Sequence, residues 1–352
     1  MNSQRPDKHT GEAGSEIFVC PACREGVVKH SDYYLCVRCE KKYPILFGIA
    51  DFRIRSDRYL SLEEERDKAR RITEEAGASF SSMLDYYYAI TDDVPAELAV
   101  RYKAYHQNGP MQAKHGLNNL NLGPQDTLLD VGCGTGGALV AAAHSGATLF
   151  GMDIALRWLV ICQQRLQEQG VNATLVCADI ESPPFPAQSF SKVVATDLLE
   201  NVYSVENSLA SLAGLLNANG RLWLTGSNKY CLGPHPTTRL WAIGYFPKKL
   251  RTRIVTWCRG VDSLRFIHLL SPHYIMRCAR QAGLQALTLS PKMIATDQVD
   301  QYPLADRVLI KIYAHVARLP LICQLLLWIG PAFEMTLVKT GNSAAEKDVV
   351  KI

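Results

Sequence analysis

The sequence predicts an α/β protein whose sheet carries helices on both faces, with a small β module near the N-terminus. Strand-length hydrophobic runs alternate with helical patterns from residue 127 onward. The loop "GCGTGG", residues 132–137, follows the first of these runs, and two Cys-x-x-Cys pairs lie near the start of the chain. Alternating strands and helices indicate a parallel sheet with crossover helices, and paired cysteines indicate a metal-stabilised module.

The composition is that of a globular protein with room for more than one domain. The chain has 352 residues, of which 47% are hydrophobic and 20% are charged. Its net charge of +4 is too small to indicate nucleic-acid binding by itself. The chain starts with polar residues, and we expect residues 1–15 to form a disordered tail without a secretory signal. Most of the eleven cysteines lie in apolar context, which is typical of a reducing cytoplasm.

Acidic residues lie at the ends of three successive predicted strands. The predicted strands cover residues 127–131, 148–153, 174–179, 191–199 and 221–226. Asp130 stands two residues before the glycine loop, while Asp153 and Asp179 end the second and third strands. The first carboxylate can attract a cationic amino group, the second can hold ribose hydroxyls, and the third can accept a hydrogen bond from an adenine amino group.

Two classes of ligand fit a glycine loop of this kind. The loop satisfies GxGxxG, so a dinucleotide site is one alternative. Three acids at three strand ends instead suit a ligand that combines a cationic amino acid, a ribose and adenine. S-adenosylmethionine is that ligand, and it has no pyrophosphate that would need a helix N-terminus.

Residues 123–228 resemble the class I S-adenosylmethionine-dependent methyltransferases. "LLDVGCGTG" is similar to their first motif, "GMDIA" to their acidic ribose loop, and "CADIESPPFPAQSFSKVVATDLLENV" to their adenine segment and fourth strand. The resemblance implies a Rossmann-like sheet of seven strands. It also implies a set of cofactor-binding residues: Asp130, Gly132, Gly134, Gly136, Asp153, Ile154, Asp179 and Ile180.

The sequence departs from this family's pattern after the fourth strand. Many small-molecule members carry Glu-His there, whereas this chain has Glu200 and Asn201. Any role of that histidine is therefore absent or supplied elsewhere. The chain also lacks the Asn/Asp-Pro-Pro-Tyr/Phe segment that marks amino-group methylation on nucleic-acid bases or glutamine.

Residues 16–55 are predicted to form a zinc ribbon. The two cysteine pairs are Cys20 with Cys23 and Cys36 with Cys39. Two such turns at the tips of a hairpin make a closed thiolate cage for a structural Zn²⁺, although iron accepts the same ligands. The following "KKYPILFGIADFR" resembles the end of the small zinc-ribbon proteins that activate tRNA, rRNA and release-factor methyltransferases. Since so short a module folds around its metal, we expect metal loss to unfold it while the cofactor site survives.

The rest of the chain surrounds residues 123–228, the cofactor half. Residues 56–122 are predicted to be helical and to act as a lead or lid, and residues 123–352 to form the methyltransferase domain. Two inserts interrupt it, a basic, aromatic one at 229–270 and an apolar one at 291–333. The first supplies the candidate general bases, His235 and His268.

The expected function is methyl transfer from S-adenosylmethionine to a small-molecule or lipid-like acceptor. The alternative is an RNA or protein methyltransferase that uses the ribbon and the basic insert to dock its substrate. We expect a cytoplasmic protein, with peripheral contact to the inner face of a membrane through residues 229–270 and 291–333 as one option. Packing of the apolar insert on the protein's own core, or in a homodimer, is the other.

Overall fold

A computed structural model describes residues 17–91, 94, 96–293, 299 and 304–340. The predicted tail at 1–15 lies outside these residues, as does part of the insert at 291–333. The strands are β1 (Val27–Lys29), β2 (Tyr33–Cys36), β3 (Lys42–Leu46), β4 (Ile49–Asp51), β5 (Thr127–Val131), β6 (Thr148–Asp153), β7 (Thr174–Cys177), β8 (Phe190–Thr196), β9 (Leu216–Ser227), β10 (Leu284–Pro291) and β11 (Ala332–Lys339). The helices are α1 (Leu62–Glu75), α2 (Phe80–Ala89), α3 (Ala96–Gln107), α4 (Gly109–Leu120), α5 (Gly137–Ala142), α6 (Leu156–Glu168), α7 (Val205–Leu215), α8 (Lys248–Arg259), α9 (Pro272–Gln281), α10 (Leu304–Val316) and α11 (Pro320–Ile329).

Seven strands form the predicted methyltransferase sheet, in the order β7-β6-β5-β8-β9-β11-β10. The first five run parallel, whereas β11 is antiparallel to both β9 and β10. One hydrophobic cluster lies on each face of this sheet, so central residues such as Leu128 and Leu129 are fully buried. The α/β class and the seven-stranded methyltransferase sheet predicted from the sequence are confirmed.

The N-terminal ribbon continues this sheet. Strands β1 to β4 are antiparallel to one another, and β4 then pairs in parallel with β7, Ala50 opposite Val176. Phe18 lies 5.5 Å, ring to ring, from Phe185 of the methyltransferase half, and both belong to one hydrophobic cluster. The sequence predicts a self-contained module, but the structure joins it to the larger domain through both backbone pairing and a shared core.

Helices α1 to α4 cover one face of the sheet as the predicted lead segment. Helix α1 begins with a capping box between Ser61 and Glu64. The buried Arg157 of α6 pairs with Glu65 of α1, and its Nη1 lies 2.8 Å from Asp57 Oδ2. Because charges removed from water need such partners, this network ties the segment after the ribbon to the cofactor half.

The two inserts lie beside each other at the far side of the sheet. The N–H of Leu232 donates to the carbonyl of Ile329 at 3.0 Å, which connects the first insert to the end of α11. Helix α8 buries only Val255, and α11 only Leu327. Leu327 is thus the one buried residue of α11, while Ile322, Leu326 and Ile329 are half-buried, so packing of this helix in the protein's own core is partial. Among the described helices, none is long and apolar enough to cross a membrane.

Candidate functional site

The glycine loop after β5 requires glycine for both conformation and space. Gly132, Gly134 and Gly136 all have positive φ, at 70°, 50° and 75°. A Cβ on Gly132 would lie 2.8 Å from Leu198 Cδ1, and one on Gly136 would lie 2.6 Å from Cys162 Sγ. Side chains at these positions would therefore block the turn. The N–H groups of Gly132, Cys133 and Gly136 bond to backbone carbonyls, which fixes the shape of the loop.

Asp130 lies beneath this loop and is only 2% exposed. Its Oδ1 atom has no hydrogen-bond partner among the described residues. Burial, and secondarily the charge of Asp153, raise the pKa of Asp130 to about 7. A buried acceptor without a partner is costly, and a cationic amino group is the ligand that would satisfy it. The site thus fits the amino-acid part of S-adenosylmethionine.

Asp153 connects the loop to helix α6. Its Oδ2 accepts the N–H of Gly134 and its Oδ1 accepts the N–H of Ala155, both at 2.9 Å. Ile154 follows it at the cavity wall. A carboxylate that already accepts two N–H groups keeps lone pairs for two ribose hydroxyls, so Asp153 can hold the loop and a ribose together.

The carboxylate predicted to contact adenine, Asp179, is joined to the ribbon. It forms an ion pair with Arg55, the last residue of the predicted ribbon, and Arg55 also lies 3.1 Å from Glu181. Ile180 is buried beside them. Sequence reasoning did not select Arg55, because no local pattern shows that residue 55 reaches residue 179.

A cavity of about 2060 Å³ contains these groups. The predicted cofactor residues all line it except Gly136. The lead segment closes one side with Tyr87, Tyr88, Tyr102 and Tyr105, consistent with its predicted lid position. Tyr86 instead bonds to Glu75 outside the cavity, as helical spacing predicts for three consecutive tyrosines.

An acidic cluster lies in the cavity where β8 ends. Asp197 Oδ2 accepts a hydrogen bond from the Tyr105 hydroxyl at 2.8 Å and lies 3.4 Å from Lys292 Nζ, while its Oδ1 accepts one from Thr225 at 3.0 Å. Burial acts to raise the pKa of Asp197, but Lys292 and the two hydroxyls outweigh it and hold that pKa below its usual range. Asp197 has a φ of 51°, in the left-handed region that Asp and Asn adopt more often than other non-glycine residues.

Glu200 lies three residues further along, also at the cavity wall and 6% exposed. Its Oε1 accepts the N–H of Ser227. Burial, followed by the charge of Asp197, raises the pKa of Glu200 to about 7. Two neighbouring carboxyls thus have pKa values displaced in opposite directions, an arrangement common in acid–base catalysis.

The candidate bases from the sequence lie elsewhere. His235 is 1% exposed, its Nδ1 accepts the N–H of Thr237, and burial lowers its pKa to about 4. His268 Nε2 lies 2.9 Å from the Val202 carbonyl oxygen. Neither histidine lines the cavity, so the structure does not bring them to the site. Asp197, which it does bring there, ends a strand as Asp130 does, and that pattern could have identified it.

The four ribbon cysteines form one compact cluster. Their sulfur atoms all lie within 4.8 Å of one another, with Cys20 to Cys39 at 3.6 Å and Cys23 to Cys36 at 3.4 Å. A tetrahedral metal with bonds of about 2.3 Å needs sulfurs roughly 3.8 Å apart. The arrangement therefore fits the predicted metal cage.

Comparison with known proteins agrees with this geometry. Residues 129–224 match the family model described as a methyltransferase domain. The chain is 28% identical over 131 residues to the ubiquinone biosynthesis O-methyltransferase of Coxiella burnetii, covering 37% of this chain and 56% of that protein. It is 35% identical over 98 residues to the demethylmenaquinone methyltransferase of Tropheryma whipplei, covering 28% and 40%. The chain thus spans about half the length of these curated relatives.

Solved structures with a similar fold include a complex of the Trm112 methyltransferase activator with a putative methyltransferase from Haloferax volcanii. Its TM-score is 0.47 at 16% identity, covering 73% of this chain and 98% of that one. Another is phosphoethanolamine N-methyltransferase 2 of Haemonchus contortus with S-adenosylmethionine, at a TM-score of 0.45 and 18% identity, covering 66% and 53%. The matching family model thus identifies a methyltransferase domain in residues 129–224, the part of the chain that carries the glycine loop and the parallel half of the sheet.

Proposed function

We propose that this chain transfers a methyl group from S-adenosylmethionine to a small, lipid-like acceptor. The volume and the apolar lining of the cavity support this proposal. At about 2060 Å³ it exceeds the roughly 300–1,000 Å³ of an ordinary ligand pocket, so it has room for a second molecule beside the cofactor. Its far side is lined by apolar residues of the two inserts, Leu232, Trp241, Ile312, Leu326 and Ile329.

The residues of the glycine loop would hold the cofactor. Asp130 would take its amino group, Asp153 its ribose, and Asp179 with Ile154 and Ile180 its adenine. When bound, S-adenosylmethionine supplies a methyl group that its sulfonium charge already activates. The protein's part is then to orient the acceptor and exclude water, and the tyrosines of the lead segment are placed to do the latter.

The names of two relatives support an apolar acceptor. One is named for ubiquinone biosynthesis and the other for demethylmenaquinone. Quinone precursors combine a polar ring with a long apolar tail, and a cavity with acids at one end and insert side chains at the other would suit that shape. We propose this class without naming its member.

We further propose that the cysteine cluster holds a structural Zn²⁺. Four thiolates close the coordination shell and leave no position for substrate, so the metal's role would be to fold the ribbon.

Peripheral contact with a membrane would bring such an acceptor to the cavity. Helix α8 exposes Leu250 and Trp257, the latter by 88%, next to Lys248, Lys249 and Arg253. Leu321 and Trp328 are exposed on α11, whose Leu326 and Ile329 line the cavity. Exposed apolar groups beside cations are typical of a surface that meets anionic lipid. The alternative occupant of this face is a second copy of the chain, in a homodimer.

Methylation of RNA or protein remains the alternative, because the cations of α8 would also suit a phosphate backbone. The test supplies methyl-labelled S-adenosylmethionine to the protein with total lipid extract, total RNA or total soluble protein from one cell culture. We expect label in the lipid fraction only. Label in RNA or protein instead would replace our proposal with the alternative.

A further inference from the structure

We propose that Glu200 is the general base of this reaction and that the accepting atom is a hydroxyl oxygen placed beside Asp197 and Lys292. The inference rests on the proposed methyl transfer and specifies its acceptor. It assigns to Glu200 the role that His235 and His268, both outside the cavity, do not fill.

The two acids are held side by side by one strand. Asp197 is bonded to Thr225 and Glu200 to Ser227. The bonding groups are the Thr225 hydroxyl and the Ser227 N–H, which belong to residues roughly 7 Å apart along β9, and both acids line the cavity. The structure therefore presents two acids to one small region of the cavity.

That region adjoins the cofactor loop. Leu198, between the two acids, lies 2.8 Å from the position that a Cβ on Gly132 would occupy. Strands β5 and β8 are neighbours, with Asp130 opposite Val194, three residues before Asp197. The charges of Asp197, Glu200 and Asp130 all act on the Tyr105 hydroxyl. The acids thus stand next to the loop predicted to hold the methionine part of the cofactor.

The charges around Glu200 favour proton transfer to it. The titratable groups described around it are Asp197 on the same loop, Lys292 after β10, Tyr105 on α3 and His268, whose backbone N–H donates to the Glu200 carbonyl oxygen while its ring contacts the Val202 carbonyl. Asp197 stays ionised because Lys292 compensates it, whereas Glu200 has a pKa near neutrality. A base is most effective when its pKa is close to the working pH.

The reaction requires only these groups, the acceptor and the cofactor. The acceptor oxygen forms a bond to the methyl carbon with one of its lone pairs, the bond from carbon to sulfur breaks, and its electron pair stays on sulfur. The hydroxyl proton passes to the Glu200 carboxylate and later to water. The products are a methyl ether and S-adenosylhomocysteine.

Lys292 distinguishes a hydroxyl from an amine. Its ammonium lies 3.4 Å from both Asp197 Oδ2 and Thr225 Oγ1, at the cavity wall. The Lys292 ammonium can donate a hydrogen bond to an oxygen that is losing its proton, whereas an ammonium acceptor has no lone pair to receive it. We therefore infer an alcohol or phenol, and a carboxylate base removes the proton of a phenol more readily than that of an alcohol because the phenol is the stronger acid.

The first test uses 4-nitrocatechol, whose absorbance reports ionisation of its hydroxyl. With S-adenosylhomocysteine present, wild-type protein should ionise the bound probe at a lower pH than in free solution, and Glu200→Gln should abolish this shift. Glu206→Gln, on the surface of α7, is the matched control and should behave as wild type. No shift with wild type, or an equal shift with Glu200→Gln, overturns the proposal.

The second test compares 4-nonylcatechol with 4-nonylaniline as acceptors. We expect O-methylation of the catechol, a loss of about 100-fold or more in kcat for Glu200→Gln, and no acidic limb near pH 7 in that variant's pH profile. Unchanged S-adenosylhomocysteine binding by the variant separates lost base from lost cofactor site. Methylation confined to the aniline would overturn the hydroxyl assignment while leaving the methyltransferase proposal intact. Absence of label from the lipid, RNA and protein fractions of the labelling experiment would instead contradict the methyltransferase proposal itself.

Discussion

Asp130 is the residue whose protonation should control cofactor binding. Burial raises its pKa in the empty site to about 7, and a cationic amino group binds only its ionised form. Lowering the pH to 6 therefore protonates most of Asp130 and should weaken S-adenosylhomocysteine binding about tenfold relative to pH 8. Calorimetry at both pH values measures this. Asp130→Asn should bind weakly and lose the pH dependence; a variant that keeps it would assign the titration to another group.

Asp153 should matter for affinity rather than for folding. Asp153→Ala removes the acceptor for ribose hydroxyls and for the Gly134 N–H. We expect a loss of about 1.5–3 kcal/mol, roughly 10- to 150-fold in the dissociation constant of S-adenosylhomocysteine, at nearly unchanged thermal stability. The exposed Asp67→Ala serves as control. An affinity within twofold of wild type would place the ribose elsewhere.

At the scale of elements, loss of the metal from the ribbon should weaken binding at the cofactor site. Strand β4 pairs with β7, and Arg55 holds Asp179. We therefore expect Cys20→Ser to lose the metal, about one Zn²⁺ per chain, and to weaken S-adenosylhomocysteine binding by about tenfold or more. This revises the expectation from sequence that the cofactor site survives unaffected.

The control is Cys258→Ser, an exposed cysteine on α8 outside the cluster, which should keep both metal and affinity. Metal analysis and calorimetry on the same samples decide the matter. A metal-free Cys20→Ser protein that binds S-adenosylhomocysteine as wild type does would show that the ribbon and the site are independent.

Helix α8 should carry the membrane contact. Each cation near an anionic surface contributes about 1 kcal/mol, so Lys248→Glu with Lys249→Glu should lower binding to anionic liposomes by about 30-fold or more. Trp257→Ala should lower it further. Co-sedimentation measures both, and the same charge change on the ribbon, Lys29→Glu with Lys41→Glu, should have little effect. Wild-type protein that does not sediment, or that sediments equally without anionic lipid, contradicts the membrane proposal.

Local pattern was enough to predict some elements but not their partners. Strand β5 has the predicted bounds, since a short apolar run before glycines has few other solutions, and the acids at strand ends follow from it. The pairing of β4 with β7 and the contact of Tyr105 and Lys292 with Asp197 join residues some 90 or more positions apart. No periodicity encodes such contacts. The sequence suggests His235 and His268 as candidate bases because their insert follows the fifth strand, and that position in the chain does not fix which side chains of the insert reach the cavity.

On the scale of the whole molecule, segments remote in sequence converge on one cavity. Arg55 ends the ribbon and pairs with Asp179, Tyr105 comes from the lead helices, and Trp241 and Ile312 come from the two inserts. The sheet brings together cofactor loop, acid pair and apolar wall at the carboxyl ends of its strands, where ligands bind in open α/β sheets. Changes in any of the added segments should therefore alter the same site.

A crystal structure with S-adenosylhomocysteine tests the central claim most directly. We predict the amino group on Asp130, the ribose hydroxyls on Asp153, the adenine between Ile154 and Ile180, and the sulfur facing the space between Asp197 and Glu200. The remaining cavity should then extend from that sulfur to the apolar side chains of the inserts. A ligand bound elsewhere, or a sulfur that points away from the acid pair, would contradict the account.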